Sequence, residues 1–276
     1  MYGVTEHPLT EKYAIVMEYH PKGNLQSNLV DICNKTWDEC VSILHNAAYG
    51  LSNAHEKGII HCDLHSGNVL LYEDFSRIAD FGLSKVANRS AGLQKGSYGV
   101  IPYMAPELFR GQPHSKATDV YAFGIIMWEV SSGELAFSDR DHNIHLMLDV
   151  CNGLRPAIVE DTPDGWAQLM KQCWDGDPHN RPTAHEMDNT IWSWANKSGN
   201  SIRYKKQYTR PHAEQHHSGA VYHSRFIPHI TRPAPTDLHE RNHTETILSD
   251  DEWEQLVSTI CIFFPVNNCK HLEPTY

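Results

Sequence analysis

The sequence lacks the usual signatures of membrane, secreted and nucleic-acid-binding proteins. The longest apolar run late in the chain, Ile260 to Phe264, is far too short to cross a bilayer, and residues 1 to 10 contain no apolar stretch of the kind found in a secretory signal. The seven cysteines are odd in number and form no Cys-x-x-Cys pair, which argues against a disulfide framework. A net charge of −11 disfavours a nucleic-acid-binding surface. We therefore expect a cytoplasmic protein that binds neither nucleic acid nor a membrane.

Helix and strand patterns are concentrated in residues 1 to 196. Thr36-Trp37-Asp38-Glu39 has the Ser/Thr-x-x-Glu form of a capping box and precedes apolar residues at helical spacing, so it predicts the start of a helix. Thr118 to Val130 is apolar on most faces, which predicts a buried helix. Further helix patterns occupy residues 164 to 174 and 182 to 195. Strand patterns occupy Tyr13 to Tyr19, Val69 to Leu71 and Arg77 to Ala79.

The composition changes after Asn196. Residues 197 to 243 are dense in His, Arg, Pro, Ser and Thr and contain few periodic apolar residues. Such a segment cannot bury enough apolar surface to offset the entropy lost on ordering. We predict that residues 197 to 276 form a largely disordered, His-rich tail. The tail histidines have no zinc-ligand spacing, which favours a solvated tail over a metal site.

Two polar motifs contain the groups that phosphoryl transfer requires. His61-Cys62-Asp63-Leu64-His65-Ser66-Gly67-Asn68 has an Asp and an Asn five residues apart, and Asp80-Phe81-Gly82 begins twelve residues after Asn68. The reaction needs a carboxylate that orients the acceptor hydroxyl and accepts its proton, together with oxygen ligands for Mg²⁺. Asp63 can supply the first function, and Asn68 and Asp80 the second.

These motifs resemble the protein-kinase family, whose catalytic loop reads H-R-D-x-x-x-x-N and whose metal-binding segment reads D-F-G. Three later segments continue the resemblance. Tyr103 to Glu107 is similar to the A-P-E segment, Asp119 to Gly124 to the D-V-x-x-F-G start of a central helix, and Cys173 to Thr183 to the C-W…D-P…R-P-T pattern. The resemblance covers roughly residues 2 to 192 and is closest to tyrosine-kinase-like Ser/Thr kinases.

The resemblance implies an α+β, protein-kinase-like fold. Residues 1 to 196 would form a partial catalytic domain. Within it, residues 1 to 19 would be the remnant of an N-lobe, with about two β-strands and the hinge strand. Residues 20 to 196 would be a complete, mostly α-helical C-lobe.

The resemblance also assigns roles to the residues of the catalytic loop. Asp63 would be the catalytic base or orienting carboxylate, and Asn68 with Asp80 would bind Mg²⁺. His65 occupies the catalytic position where Ser/Thr kinases usually carry a Lys that touches the γ-phosphate. A largely neutral imidazole is a poorer point charge than an ammonium group.

The ATP base would be bound at the hinge. Met17 would be the gatekeeper, Glu18 and His20 would bond adenine through their backbones, and Leu70 would form the floor of the adenine site. These four assignments rest on the resemblance alone.

Structural roles follow from the same resemblance. Glu107 and Arg181 would form a buried ion pair that anchors the activation segment. Asp119 would hold the backbone of the catalytic loop. His61 and Phe81 would stack behind the metal-binding segment.

The departures from the family pattern lie mainly in the N-lobe. Tyr2 to Thr5 resembles the fourth strand of that lobe, so the first three strands and the helix after them are expected to be absent from these 276 residues. The sequence contains no G-x-G-x-x-G loop, no V-A-x-K lysine and no glutamate to pair with it, and those elements position the ATP phosphates. Cys62 stands where most kinases have the Arg that binds an activation-loop phosphate. The sequence therefore predicts that residues 1 to 276 transfer phosphate to generic acceptors very weakly or not at all.

Three functions are compatible with these observations. The family-level prediction is an ATP- and Mg²⁺-dependent protein kinase in intracellular signalling, whose partners are ATP and protein substrates, with Ser/Thr preferred over Tyr. A pseudokinase or scaffold module is the alternative that the missing lysine strand supports. A small-molecule phosphotransferase is disfavoured because the A-P-E segment, Asp119 and Arg181 belong to the protein-kinase pattern.

Overall fold

The structure is a computed structural model, and it describes residues 2–6, 13–72, 75–87, 96–196 and 216–230. These residues contain seven α-helices and eight short β-strands. The chain divides into two units, of which the first comprises Met1–His20 with Pro233–Tyr276 and the second comprises Pro21–Arg232. In the described ranges, no helix combines the length and apolar character that crossing a bilayer requires.

The described part of the first unit is a two-stranded antiparallel ribbon. Strand β1 (Gly3–Glu6) pairs with β2 (Tyr13–Val16), with Gly3 opposite Val16. Strand β2 is rich in β-branched and aromatic residues, which favour the extended backbone. The strand predicted from Tyr13 to Tyr19 therefore exists, but it ends at Val16.

Helices make up most of the second unit. Their bounds are α1 Leu29–Cys33, α2 Trp37–Glu56, α3 Pro106–Phe109, α4 Lys116–Ser132, α5 Ile144–Cys151, α6 Asp164–Cys173 and α7 Ala184–Ala195. The predicted capping box at the start of α2 is present: the Glu39 N–H donates to the Thr36 hydroxyl at 3.3 Å, and the Thr36 N–H donates to the Glu39 carboxylate at 2.7 Å. The predicted helices at residues 164–174 and 182–195 correspond to α6 and α7. Helices α1, α3 and α5 were not predicted.

Helix α4 lies in the core of the second unit and contacts α1, α2 and α6. Its residues are buried on all sides, as the apolar pattern predicted, and Phe123 is fully buried. Burying a side chain of that size contributes on the order of 2 kcal/mol to folding. The helix ends at Gly133, whose φ of 74° is a left-handed conformation that glycine adopts without strain.

Six short strands complete the second unit as three antiparallel pairs. They are β3 Ile59–Ile60 with β6 Lys85–Val86, β4 Val69–Tyr72 with β5 Phe75–Ile78, and β7 Gly96–Gly99 with β8 Arg225–Pro228. The loop of residues 61–68, which contains Asp63, connects β3 to β4. The hairpin of β4 and β5 matches the two predicted strands.

The segment 216–230 differs from the expectation of a disordered tail. It contains β8, and Ile227 within it is only 4% exposed and belongs to the core. The physical reason is that a few apolar residues are sufficient when a strand edge is available to satisfy the backbone. The remainder of the predicted tail, residues 197–215 and 231–276, lies outside the described residues.

A buried polar network connects α4 to the loop that carries Asp63. The Tyr103 hydroxyl donates to Glu129 Oε1 at 2.7 Å, and Ser66 Oγ lies 2.9 Å from the same tyrosine oxygen. The Ala136 N–H also donates to Glu129 Oε1, at 3.1 Å, whereas Oε2 is buried with no hydrogen-bond partner among the described residues. Burial raises the pKa of Glu129 to about 7, despite the opposing effect of these hydrogen bonds.

The raised pKa of Glu129 makes stability depend on pH. Because the folded pKa of about 7 lies above the ordinary 4.5, the contribution of this carboxyl is complete below pH 4.5 and is lost as the pH rises through 7. Glu129→Gln keeps the acceptor oxygen and cannot ionise. Between pH 5 and pH 8 the wild-type chain should therefore lose on the order of 2 kcal/mol more stability than the variant. Urea unfolding at the two pH values measures this difference, and an equal pH dependence in both chains would contradict it.

Candidate active site

The loop of residues 61–68 is joined to the segment that follows β5 by the His61 side chain and by a backbone hydrogen bond from the Ala79 N–H to the Asn68 carbonyl at 2.8 Å. The Nε2–H of His61 donates to the Ala79 carbonyl at 3.0 Å, and its Nδ1 accepts the Asp63 N–H at 3.3 Å. The His61 ring also packs on Phe81, with 4.7 Å between centroids. The predicted stack of His61 and Phe81 is confirmed, and Asp63 is thereby linked to the segment that contains Asp80.

Asp119 holds the start of this loop, as predicted. Its carboxylate, on the first turn of α4, accepts the N–H of His61 at 2.7 Å and the N–H of Cys62 at 3.0 Å. The His55 ring completes the set, with Nε2 at 2.8 Å from the carboxylate. Burial alone would raise the pKa of Asp119, but hydrogen bonding and the charge of His55, with the contributions of His61, lower it overall. Asp119 is therefore a buried anion with three donors.

Cys62 occupies a strained position in the loop. Its φ is 69°, in the left-handed region that non-glycine residues rarely adopt. Burial, reinforced by the charge of Asp119, raises the pKa of the Cys62 thiol. The side chain is therefore neutral, and the hydrogen bonds to Asp119 stabilise the unusual backbone.

The Asp63 carboxylate is almost enclosed, with 8% of the residue exposed. Burial raises its pKa, and the charge of Asp80 acts in the same direction. A hydrogen-bonding interaction with Ser224 and the charge of His61 oppose the shift. A carboxylate with a raised pKa is a stronger base, which suits proton removal from a hydroxyl.

His65 lies beside Asp63 as a neutral ring. Burial, together with the charge of His61, lowers the pKa of His65 to about 4. Its Nδ1 accepts the Gly67 N–H at 3.1 Å, so the ring proton is on Nε2, which lies 4.0 Å from the Asp63 carboxylate. Within this arrangement His65 can donate a hydrogen bond but supplies no positive charge, as the sequence suggested.

Asn68 and Asp80 offer the oxygen ligands expected of a magnesium site. The Asn68 amide nitrogen donates to the Asp63 carbonyl at 3.0 Å, which leaves the amide oxygen available to a cation. The Asp80 side chain is exposed, has a φ of 61°, and accepts the Gly82 N–H at 3.3 Å. Among the described residues, no group of three or more His, Cys, Asp or Glu is arranged to hold a metal. Two oxygen donors fit Mg²⁺, which commonly takes one or two protein ligands together with phosphates and water.

The predicted adenine-site residues belong to both units and are described within each unit. In the first unit Met17 is 49% exposed, and the His20 Nδ1 lies 3.0 Å from the Glu18 carbonyl oxygen. In the second unit Leu70 lies on β4 and forms an isolated bridge with Asn24. Their role in binding adenine remains a prediction.

The predicted ion pair between Glu107 and Arg181 is confirmed. The guanidinium donates to both carboxylate oxygens, at 2.6 and 2.8 Å, and both residues are less than 10% exposed. Arg181 also donates to the carbonyls of Asp175 and Ala117, each at 3.0 Å. Because Glu107 follows the segment of residues 96–103 in the chain, the pair anchors that segment to the helical core.

Two residues that contribute to the site were missed by the sequence analysis. His55, at the end of α2, gives no local signal of its contact with Asp119, which lies 64 residues later. Ser224 lies in a tail that was predicted to be disordered. The apolar residues around it, Tyr222 and Phe226-Ile227, are a signal that could have separated this segment from the rest of the tail.

The chain matches a family model described as protein tyrosine and serine/threonine kinase over residues 1–191. Mitogen-activated protein kinase kinase kinase 12 of Rattus norvegicus is 33% identical over 177 residues, which cover 63% of this chain and 20% of that protein. Mitogen-activated protein kinase kinase kinase 13 of Homo sapiens is 35% identical over 173 residues, or 62% of this chain and 18% of that protein. A probable serine/threonine-protein kinase of Dictyostelium discoideum is 41% identical over 146 residues, which cover 52% of this chain and 16% of that protein. The chain thus spans a fifth or less of the length of these curated relatives.

Replacing Asp119 tests how much the loop depends on a charge. Asp119→Asn removes the anion and turns an NH₂ group toward backbone donors, so we expect a loss of about 3 kcal/mol in unfolding free energy. Asp149→Asn is the matched control, because Asp149 forms an exposed ion pair with Arg140 at 2.6 Å and should lose less than about 1 kcal/mol. Urea unfolding at pH 7 measures both. Equal losses in the two variants would show that a neutral amide supports the loop equally well.

Proposed function

The chain belongs to the protein tyrosine and serine/threonine kinase family, and on that premise we propose that it transfers the γ-phosphoryl group of ATP to hydroxyls of protein substrates. Serine and threonine are the preferred acceptors in this proposal. The name of the Dictyostelium discoideum relative and the resemblance of the catalytic loop to tyrosine-kinase-like Ser/Thr kinases support that preference.

The observation that carries the proposal is the state of Asp63. The carboxylate is nearly buried, its pKa is raised mainly by burial, and the backbone on either side is fixed by hydrogen bonds to His61 and Asn68. A base that is pre-oriented and partly desolvated needs little rearrangement when the acceptor arrives. Phosphoryl transfer requires such a group, because enzymes catalyse this reaction mainly by positioning the reactants.

Asp63 and the residues around it would have different roles in the reaction. Asp63 accepts the proton of the acceptor hydroxyl as that oxygen bonds to the γ-phosphorus, while the bond between the γ-phosphorus and the bridging oxygen breaks and ADP leaves. Mg²⁺ would be bound by Asn68 and Asp80 and would offset negative charge on the phosphates. The Nε2–H of His65 is a donor that can orient either the Asp63 carboxylate or a phosphate oxygen.

The finer parts of the proposal concern the nucleotide and the lobes. The ribbon of β1 and β2 would be the remnant of the N-lobe, and the helical unit would be the C-lobe. Met17, Glu18, His20 and Leu70 would bind adenine, and their support is the match of the hinge segment to the family pattern. The chain would act in signalling in the cytoplasm. This setting agrees with the acidic composition and with the lack of Cys-x-x-Cys pairs in the sequence.

Total phosphate transfer tests this proposal directly. We expect Asp63→Ala and Asp80→Ala to lower the incorporation of labelled phosphate from Mg²⁺-ATP, into casein and the chain together, by at least about 100-fold. Asp161→Ala, which removes an exposed carboxylate in a turn, should leave the rate unchanged. The comparison between variants does not depend on the absolute rate.

Two outcomes would count against the proposal. Equal incorporation by the wild-type and Asp63→Ala chains would assign the activity to a contaminant. Incorporation that never exceeds the level of a protein-free control would favour a pseudokinase or binding module.

A further inference from the structure

The segment of residues 216–230, named here the docking segment, pairs with strand β7 and forms a two-stranded sheet with it. Its strand β8 runs antiparallel to β7, with Arg225 opposite Gly99 and Phe226 opposite Tyr98. The Tyr98 and Phe226 rings pack edge to face at 5.7 Å, and Ile227 is buried in the core. Backbone pairing with one buried side chain is the usual way in which an extended peptide is recognised by a strand edge.

A second set of contacts fixes the residues before β8 and its first residue, Arg225. The Tyr222 hydroxyl donates to the Ala136 carbonyl at 2.8 Å, and the Arg225 guanidinium donates to the His142 carbonyl at 2.6 Å. The His142 N–H in turn donates to the Gly219 carbonyl at 3.0 Å. The docking segment is therefore attached on both sides of Ser224, which cannot move independently of these contacts.

Ser224 immediately precedes Arg225, which lies opposite Gly99, and Gly99 lines the same cavity as Asp63. The Ser224 Oγ atom is buried and has no hydrogen-bond partner of ordinary geometry among the described residues. It is nevertheless close enough to Asp63 that their interaction lowers the pKa of that carboxyl. Together with the pairing of β8 and β7, these observations place a buried hydroxyl beside the Asp63 carboxylate. A buried hydroxyl left without a partner is unfavourable, and such a group calls for a functional explanation.

We propose that Ser224 is an acceptor hydroxyl for the chain's own phosphoryl transfer, and that the docking segment is an intramolecular substrate. The inference rests on the proposed function of the Asp63 site. In the reaction, Ser224 Oγ forms a bond to the γ-phosphorus of ATP, its proton passes to Asp63, and ADP departs with the electrons of the broken P–O bond. The products are phosphoserine 224 and ADP.

Tethering explains how this acceptor can react where others react slowly. An acceptor that is already attached beside the base has a high effective concentration and loses little further entropy on reaction. The pairing of β8 with β7 also predicts which substrate peptides could bind in place of the docking segment. They would bind as an extended strand along residues 96–99, with Arg in the first position after the acceptor and a buried aliphatic residue in the third.

Phosphorylation should also release the docking segment. A phosphoserine carries a charge of about −1.5 to −2 and would lie beside the carboxylate of Asp63. The guanidinium of the neighbouring Arg225 already donates to the His142 carbonyl, so repulsion between the phosphate and the Asp63 carboxylate disfavours the docked state. The modified chain would then present a free strand edge to other substrates.

The test uses the full 276-residue chain, Mg²⁺-ATP and phosphosite mapping by mass spectrometry. We expect phosphate on Ser224, with a first-order rate that stays constant over a tenfold range of protein concentration. Ser224→Ala should remove most of the phosphate on the chain, whereas Ser218→Ala, the matched serine in the same segment, should not. Asp63→Ala should lower Ser224 phosphorylation at least about 100-fold.

A second measurement does not depend on turnover. Hydrogen exchange without ATP should show protected amides within residues 225–227, and Ile227→Asp should reduce that protection at least tenfold by placing a charge in the core. The phosphorylated wild-type chain should lose protection in the same residues.

The outcomes separate this inference from the proposed function. Transfer to casein that requires Asp63, without phosphate on Ser224, would overturn the inference and leave the proposed function intact. The absence of Asp63-dependent transfer to either acceptor would overturn both. Phosphate on Ser224 that persists in Asp63→Ala, or unprotected amides throughout residues 225–227, would overturn the inference alone.

Discussion

The carboxylate of Asp119 is the interaction on which the rest of the site depends. It is buried at the start of the central helix α4, and it remains ionised because His55 and the N–H groups of His61 and Cys62 surround it. Those hydrogen bonds stabilise the left-handed backbone of Cys62. That turn in the chain sets the position of the following residue, Asp63. A charge in the core thus determines where the Asp63 carboxylate lies.

Strand β7, with which the docking segment pairs, is attached to the same core through other contacts. The Glu107–Arg181 pair anchors the end of the segment that begins with β7, and the Ser66–Tyr103–Glu129 network connects that segment to the catalytic loop and to α4. Strand β7 therefore has a fixed edge beside Asp63. Because the docking segment pairs with that edge, the position of Ser224 follows from the same buried contacts.

The sequence allowed the parts of this arrangement with local signals to be predicted. The capping box at Thr36, the apolar helix α4 and the spacing of Asp63, Asn68 and Asp80 all depend on neighbours in the chain, and the resemblance to kinases supplied the partners of Asp119 and Arg181. The partners that arise from chain crossings had no such signal. His55 meets Asp119 across 64 residues, and Ser224 reaches Asp63 only because β8 finds the edge of β7. The composition of residues 216–230 suggested disorder, because composition contains no information about β7, the distant strand with which β8 pairs.

The central claim is that the chain presents its own serine hydroxyl to a fixed catalytic carboxylate, and a crystal structure of the 276-residue chain tests it most directly. The account predicts that residues 225–228 pair antiparallel with residues 96–99, with Arg225 opposite Gly99, and that Ser224 Oγ faces the Asp63 carboxylate. The Asp119 carboxylate should accept the N–H groups of His61 and Cys62 in the same structure. Electron density showing β7 unpaired, or paired with any segment other than residues 225–228, would contradict the account.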